Sequence, residues 1–204
     1  MQAQLDHHHE PHSRLHETVY VVSLLFGRDG MARKVAGLAR LSSRDIVVDV
    51  GCGPGTAVRR ARREGAALAV GVDPSTRMLR LGRGITSARR MDRVDFLEGS
   101  AESLPLDSAS ATVIWALQSV HHWEDRSQGL TESLRVLAPG GRLLLLERAV
   151  VPGARGHAAA GLTEPQANEL ATSVARAGFS DVEQLLVGVG RRDYFVTMAR
   201  APAP

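Results

Sequence analysis

The sequence predicts an α/β fold in which a seven-stranded, mostly parallel sheet lies between two layers of helices. Short runs rich in Val, Ile and Leu alternate with segments of helical periodicity, which is typical of this class. The first apolar run, 46–50, ends in a glycine-dense corner, as buried parallel strands often do beside a ligand. The last two runs, 181–187 and 193–199, are joined by a short glycine-containing turn and predict a closing hairpin with an antiparallel last strand.

The glycine-dense corner is Gly51-Cys52-Gly53-Pro54-Gly55. Glycines let the backbone approach a ligand closely and adopt dihedral angles that other residues resist. Pro54 suits the first turn of the helix that follows, because its missing N–H is not needed there. A strand, a glycine corner and a helix in this order predict a nucleotide-type site at the carboxyl edge of the sheet.

The spacing of these glycines disfavours a nicotinamide dinucleotide. The dinucleotide pattern G-x-G-x-x-G requires glycine where the chain has Thr56, so the loop is one residue tighter. A tighter loop suits a ligand without a pyrophosphate. Asp73 ends the next apolar run, 22 residues after Gly51, where an acid accepts hydrogen bonds from ribose hydroxyls.

These residues, with the segment L-A-P-G-G-R-L-L-L at 137–145, resemble the class I S-adenosylmethionine-dependent methyltransferases of the small-molecule branch. The resemblance covers roughly residues 45–150 and implies a Rossmann-like three-layer sandwich. It implies S-adenosylmethionine as cofactor and S-adenosylhomocysteine as product. The cofactor contacts that it implies are Asp49, Gly51, Cys52, Gly53, Gly55, Asp73, Pro74, Met78, Ser100, Ala101, Glu102 and Ala116.

The adenine end departs from the family pattern at Ser100. Similar enzymes place an acid there to accept the adenine amino hydrogen bond, followed by an alanine whose N–H meets a ring nitrogen. A hydroxyl can still accept a hydrogen bond, but it lacks the charge that strengthens such bonds, so we expect weaker adenine binding. Met78 is expected to pack on the adenine, with an ordinary core methionine as the alternative.

The segment after the fourth strand carries the candidate catalytic residues His121 and His122. Histidine titrates nearest neutral pH, so either could take a proton from a nucleophile during methyl transfer. The alternative is that both are structural or belong to the cofactor shell. Trp123 is expected to wall the acceptor pocket, against a role in core packing. Glu147 ends the fifth strand at the same edge and is expected to orient the substrate or a histidine, against pairing with Arg148.

We expect residues 1–41 to form a helical extension, or lid, over the active site, and residues 42–204 to form the methyltransferase domain. An apolar stripe through Leu15 and Phe26 predicts a helix from Pro11. Its neighbouring polar stripe makes His16 and Tyr20 candidates for substrate contact, against an ordinary solvent-facing stripe. The histidines before residue 17 suggest a metal site, but Pro11 interrupts the helix that would align them, so none is expected.

Composition narrows the possible partners. Hydrophobic content of 44% with 23% charged residues is ordinary for a soluble globular protein, and one cysteine fits a reducing cytosol. With no apolar run long enough to span a bilayer, we expect a cytoplasmic protein, monomeric or homodimeric, without a membrane partner. The arginines of segment 59–63 predict a solvated helix face. No aromatic residues are interleaved with them to stack bases, which disfavours a nucleic-acid partner.

The expected function is transfer of a methyl group to a small-molecule acceptor, with oxygen as the favoured nucleophile. Two alternatives stay open. The acceptor could be bound to a carrier or be a nucleic acid, recognised through the arginine segment. The protein could also bind the cofactor without catalysis, because Ser100 replaces an acid and almost no insertion separates the fifth strand from the last helix.

Overall fold

The computed structural model describes residues 29–154 and 156–203. The predicted helix from Pro11, with His16 and Tyr20, and the histidines before it lie outside the described residues. The described residues form five α-helices: α1 (Asp29–Ala39), α2 (Thr56–Arg63), α3 (Thr76–Ala88), α4 (Arg126–Val136) and α5 (Glu164–Arg176). The strands are β1 (Ile46–Val50), β2 (Leu68–Asp73), β3 (Val94–Glu98), β4 (Ala111–Leu117), β5 (Leu137–Arg148), β6 (Ser180–Val189) and β7 (Arg192–Arg200).

The seven strands form one sheet in the order β3-β2-β1-β4-β5-β7-β6. All neighbouring pairs are parallel except those of β7, which runs antiparallel to both β5 and β6. This confirms the predicted Rossmann-like sheet with an antiparallel last strand. From β1 the chain builds outward to β2 and β3 on one side and through β4 and β5 on the other. Such a reversal of strand order opens a crevice at the carboxyl ends of the strands.

Alternate residues of the central strands divide between two apolar layers, which explains the helices on both faces. On one face Val113 and Trp115 of β4 pack with residues of α1, α2 and α3. On the other face Ile114 and Ala116 pack with residues of α4 and α5. Because side chains alternate along a strand, a run that is apolar throughout must be covered on both sides.

Three boundaries differ from what the residue types alone would predict. Asp29 and Gly30, a pair typical of a turn, form the first turn of α1, where the Asp29 carboxylate pairs with Arg60 of α2. Pro54 lies in the turn before α2, whose N-cap is Gly55. The Pro-Gly-Gly segment at 139–141 belongs to β5, where a register shift against β4 accommodates it.

Asp45, just before β1, links neighbouring segments at the amino-terminal edge of the sheet. Its carboxylate accepts hydrogen bonds from the Thr112 hydroxyl at 2.8 Å and the Ser42 N–H at 2.7 Å, and it pairs with the Arg142 guanidinium. Burial raises the pKa of this carboxyl. The hydrogen bonds from Thr112 and Ser42, with the charge of Arg142, outweigh burial and hold the pKa below its ordinary value.

Asp45→Asn should lower the free energy of unfolding at pH 7 by about 3 kcal/mol, because Arg142 loses its buried partner. A depressed carboxyl pKa contributes stability above the unfolded-state pKa of about 4, which is lost as the pH falls through the folded-state value. Urea unfolding at pH 7 and pH 3 should therefore show a difference that closes at the lower pH. Asp95→Asn, at an exposed position of β3, is the control.

Candidate functional site

A cavity of about 530 Å³ lies at the carboxyl ends of β1, β2 and β4. It occupies the crevice that the strand order predicts. Its wall includes ten of the residues predicted from sequence: Gly51, Gly53, Asp73, Pro74, Met78, Ser100, Ala101, Glu102, His122 and Trp123. The structure thus brings together residues that are up to 72 positions apart in the sequence, from Gly51 to Trp123.

The glycine turn after β1 is restricted at Gly51 by β2 on one side and by Ser119 on the other. Gly51 has a φ of 73° and donates its N–H to the Val72 carbonyl of β2 at 2.8 Å. A Cβ at Gly51 would lie 2.5 Å from the Cβ of Ser119, whose hydroxyl donates to the Val50 carbonyl at 2.7 Å. The turn therefore follows a path that only glycine allows at residue 51, and its backbone borders the cavity.

Gly55→Ala should be far more destabilising than Gly140→Ala, although both glycines have a φ of 73°. A Cβ at Gly55 would lie 2.3 Å from the Phe96 ring, whereas at Gly140 it meets no atom within 4 Å. The left-handed backbone costs each variant about 1–2 kcal/mol. Overpacking adds about 1–3 kcal/mol at residue 55 alone. Equal unfolding free energies for the two variants in urea would contradict this assignment.

Asp73, at the end of β2, suits a ribose. Its carboxylate accepts the Gly53 N–H at 2.7 Å and the Ser75 N–H at 2.9 Å, and the residue borders the cavity. A carboxylate has about four lone-pair positions, so acceptor capacity is left for a diol. Its negative charge also disfavours a phosphate at this place. The donors and acceptors present therefore fit the ribose of an adenosine cofactor.

Ser100 is hydrogen-bonded to the carboxylate of Glu102, and both residues border the cavity. Burial raises the pKa of Glu102, but hydrogen bonds from its own N–H, the Ser100 hydroxyl and the N–H groups of Asp125 and Glu124 lower it overall. A hydroxyl that donates to a carboxylate is polarised and becomes a better acceptor. The acid of the family pattern is absent at residue 100, but a carboxylate, Glu102, lies beside the hydroxyl that replaces it.

Glu147 and His121 form a carboxylate–imidazole pair. Glu147 is 1% exposed; its Oε1 accepts the Val120 N–H at 2.8 Å, and its Oε2 lies 2.7 Å from His121 Nδ1. Leu117 of β4 pairs with Leu146 of β5, which brings the ends of these strands to the same edge. The carboxylate therefore favours the tautomer with its proton on Nδ1 and leaves Nε2 as a proton acceptor.

His122 borders the cavity, whereas His121 does not. The two rings lie 4.0 Å apart between centroids, tilted by 47°. Both belong to a one-turn 3₁₀ helix, Val120–His122, that follows β4. Trp123 borders the cavity too, and it also packs against Gly129, where a Cβ would lie 2.6 Å from the indole. Trp123 therefore packs against the apolar layer and also lines the cofactor cavity, and its contact with the acceptor stays a prediction.

Four predicted cofactor residues do not border the cavity: Asp49, Cys52, Gly55 and Ala116. All four are buried behind its wall. Conversely, sequence reasoning missed Val50, Ser75, Gly99, Gln118, Ser119 and Glu124, which the wall includes. Gln118 has a φ of 53°, a strained value outside glycine. Its place directly after β4, at the edge where ligands bind, could have pointed to it.

The fold and this cavity define a Rossmann-like protein that binds an adenosine-bearing cofactor. Residues 48–145 match the family described as "Methyltransferase domain". Over 124 residues the chain is 36% identical to the 27-O-demethylrifamycin SV methyltransferase of Amycolatopsis mediterranei, covering 60% of this chain and 46% of that protein. Over 101 residues it is 35% identical to the demethylmenaquinone methyltransferase of Chlorobaculum tepidum, covering 50% and 40%.

Solved structures agree on the fold. A crystal structure of a SAM-dependent methyltransferase from Aquifex aeolicus superposes with a TM-score of 0.76 at 18% identity, covering 90% of this chain and 97% of that one. The matched part of this chain spans less than half the length of the two curated relatives. Residues 48–145 are therefore a methyltransferase domain with the Rossmann-like fold, and S-adenosylmethionine is the cofactor of this domain.

Proposed function

We propose that the chain transfers the methyl group of S-adenosylmethionine to a hydroxyl oxygen of a small-molecule acceptor. The observation that carries the proposal is the Glu147–His121 pair, in which the His121 ring lies against His122, a residue of the cavity wall. A hydroxyl must lose its proton as it is methylated, and a histidine that is hydrogen-bonded to a carboxylate can accept this proton. The rifamycin relative, named for an O-demethylated substrate, supports the same choice of nucleophile.

Different residues of the cavity are proposed to bind different parts of the cofactor. The turn at Gly51 and Gly53 is proposed to hold the methionine end, Asp73 the ribose, and Ser100 with Ala101 the adenine. Bound there, S-adenosylmethionine supplies a methyl group on a positively charged sulfur that leaves as a neutral thioether. His121 Nε2 takes the acceptor's proton, and the Glu147 carboxylate stabilises the imidazolium that results.

Much of the remaining contribution of the protein is alignment and exclusion of water. His122 and Trp123 border the cavity beside the base and are proposed to position the acceptor. The N-terminal extension, residues 1–41, is proposed to complete the acceptor pocket through His16 and Tyr20. Its described part, α1, is anchored in the core by Met31 and Val35, both buried.

Release of S-adenosylhomocysteine, measured with a panel of acceptors, tests the proposal. The panel should contain phenols, sugar hydroxyls and macrocyclic alcohols, together with demethylmenaquinone, after which one of the relatives is named. We expect turnover with a hydroxyl class and its loss in His121→Asn. Turnover confined to ring carbons would overturn O-methylation. Cofactor binding without any turnover would favour a non-catalytic binding protein.

Among the residues that the structure describes, no helix is long and apolar enough to cross a membrane.

Two alternative acceptors, one bound to a carrier and one a nucleic acid, carry less support. A carrier-bound or nucleic-acid acceptor would need the arginines of α2 near the reacting edge. The α2 arginines that line a cavity are Arg59, Arg60 and Arg63, and none of the described residues of that cavity belongs to the cofactor cavity. A small acceptor is therefore the better-supported substrate class.

A further inference from the structure

A second cavity, of about 570 Å³, lies between α2, α3 and the start of α1. Among the residues that the structure describes, its wall contains the arginines Arg59, Arg60, Arg63 and Arg89 and one carboxylate, Asp29. None of these residues belongs to the wall of the cofactor cavity. The methyl-transfer chemistry proposed above uses none of these arginines.

The single carboxylate is already engaged. Arg60 donates through Nε to Asp29 Oδ1 at 3.1 Å, and a second of its nitrogens pairs with the other Asp29 oxygen. Its Nη1 donates to Glu64 at 3.2 Å. These hydrogen bonds and charges, those of Asp29 first, raise the pKa of Arg60. The Asp29 carboxylate therefore forms an ion pair with Arg60 and none with the other three arginines of the wall.

Arg59 is the most constrained of these three. It is 3% exposed, and its Nη1 donates to the Pro54 carbonyl at 2.7 Å. Within residues 29–154 and 156–203 no carboxylate forms an ion pair with Arg59, Arg63 or Arg89. Burial first, and then repulsion from Arg89 and Arg63, lowers the pKa of Arg59 to about 10. A buried charge normally has a counter-charge, because leaving water is costly otherwise.

We propose that this arginine cavity binds a diphosphate-type anion, with Arg59 at its floor and the exposed Arg63 and Arg89 at its mouth. Guanidinium groups present planar pairs of N–H donors that match phosphate oxygens. Three of them around one cavity favour a compact anion of high charge over a single carboxylate. The described part of the wall contains no aromatic residue on which a nucleic-acid base could stack, which favours a small ligand.

Calorimetry on the full chain with inorganic pyrophosphate tests this site, at constant ionic strength set with chloride. We expect one anion per chain, and we expect Arg63→Gln combined with Arg89→Gln to weaken binding at least tenfold. Both residues are exposed, so the double variant should fold; its unfolding midpoint verifies this. Arg59 is left intact because it also holds the turn at Pro54.

The matched control combines Arg176→Gln and Arg191→Gln, which remove the same charge from exposed positions outside the cavity. Its affinity for pyrophosphate should stay within twofold of the wild type. No binding of pyrophosphate at millimolar concentration, or equal weakening in both double variants, would overturn the proposal. Tighter binding of a single-stranded oligonucleotide than of pyrophosphate would also overturn it.

The source of the anion is distinguished in the same experiment. Thiamine diphosphate serves as an organic diphosphate beside inorganic pyrophosphate. If both compounds bind and their binding depends on Arg63 and Arg89, the proposed site is supported. Tighter binding of thiamine diphosphate would assign the site to a diphosphate ester. Tighter binding of inorganic pyrophosphate would assign it to the free anion. Failure of methyl transfer leaves this result unaffected, because the readout is binding at a separate cavity.

Discussion

Asp73→Ala should weaken the binding of S-adenosylhomocysteine by about 100-fold or more. The carboxylate is expected to accept hydrogen bonds from both ribose hydroxyls, and each hydrogen bond to a charged group contributes about 1.5–3 kcal/mol. It also accepts the N–H groups of Gly53 and Ser75, so the alanine variant loosens the turn as well as losing the ribose contact. Calorimetric titration of the purified protein measures the effect directly.

Asp73→Asn keeps the size and shape of the side chain at residue 73 but removes its negative charge. An amide has one oxygen and one NH₂ group, whereas both carboxylate oxygens of Asp73 accept a backbone N–H. The NH₂ group must therefore face one of these donors, and we expect a loss of affinity close to that of alanine. Asp95→Ala, exposed on the neighbouring strand β3, should bind like the wild type. Unchanged affinity in Asp73→Ala would refute the assignment of the ribose site.

Glu147→Gln should lower kcat by about 100-fold while changing cofactor affinity less than threefold. General-base catalysis contributes about 10²–10⁴ in rate. The glutamine oxygen can keep the Val120 N–H, which turns its NH₂ group toward His121 Nδ1. That donor forces the histidine proton onto Nε2, the nitrogen that must accept a proton from the substrate. Steady-state kinetics with an acceptor from the panel measures both constants.

Three further variants separate the base from its neighbours. His121→Asn should match Glu147→Gln, and the double variant should be no slower than either, because the two side chains act as one unit. His122→Asn should mainly raise KM, since His122 borders the cavity and its ring lies against His121. Loss of kcat in His122→Asn alone, with Glu147→Gln fully active, would transfer the role of base to His122.

Much of the cavity wall could be predicted from sequence because the features that form it are local. Gly51 and Gly53 lie in the turn after β1 and Asp73 ends β2, and the carboxyl ends of parallel strands meet at one edge. The weaker predictions were those that depended on side-chain direction. Ala116 lies within β4, where the alternation of side chains places it in the apolar layer on one face of the sheet and not on the cavity wall. Asp49 and Cys52 are likewise buried behind the wall.

The sequence by itself determined the α/β class, the order of its elements, the glycine turn and the acid that follows the second strand. These features are local, since they depend on apolar periodicity and on backbone angles that few residues other than glycine adopt. Only the tertiary structure decided which histidine Glu147 contacts, that Glu102 supports Ser100, and that Asp29 balances Arg60 but not Arg59. Such pairings join side chains from separate elements, and packing distance, not sequence spacing, determines which charges meet.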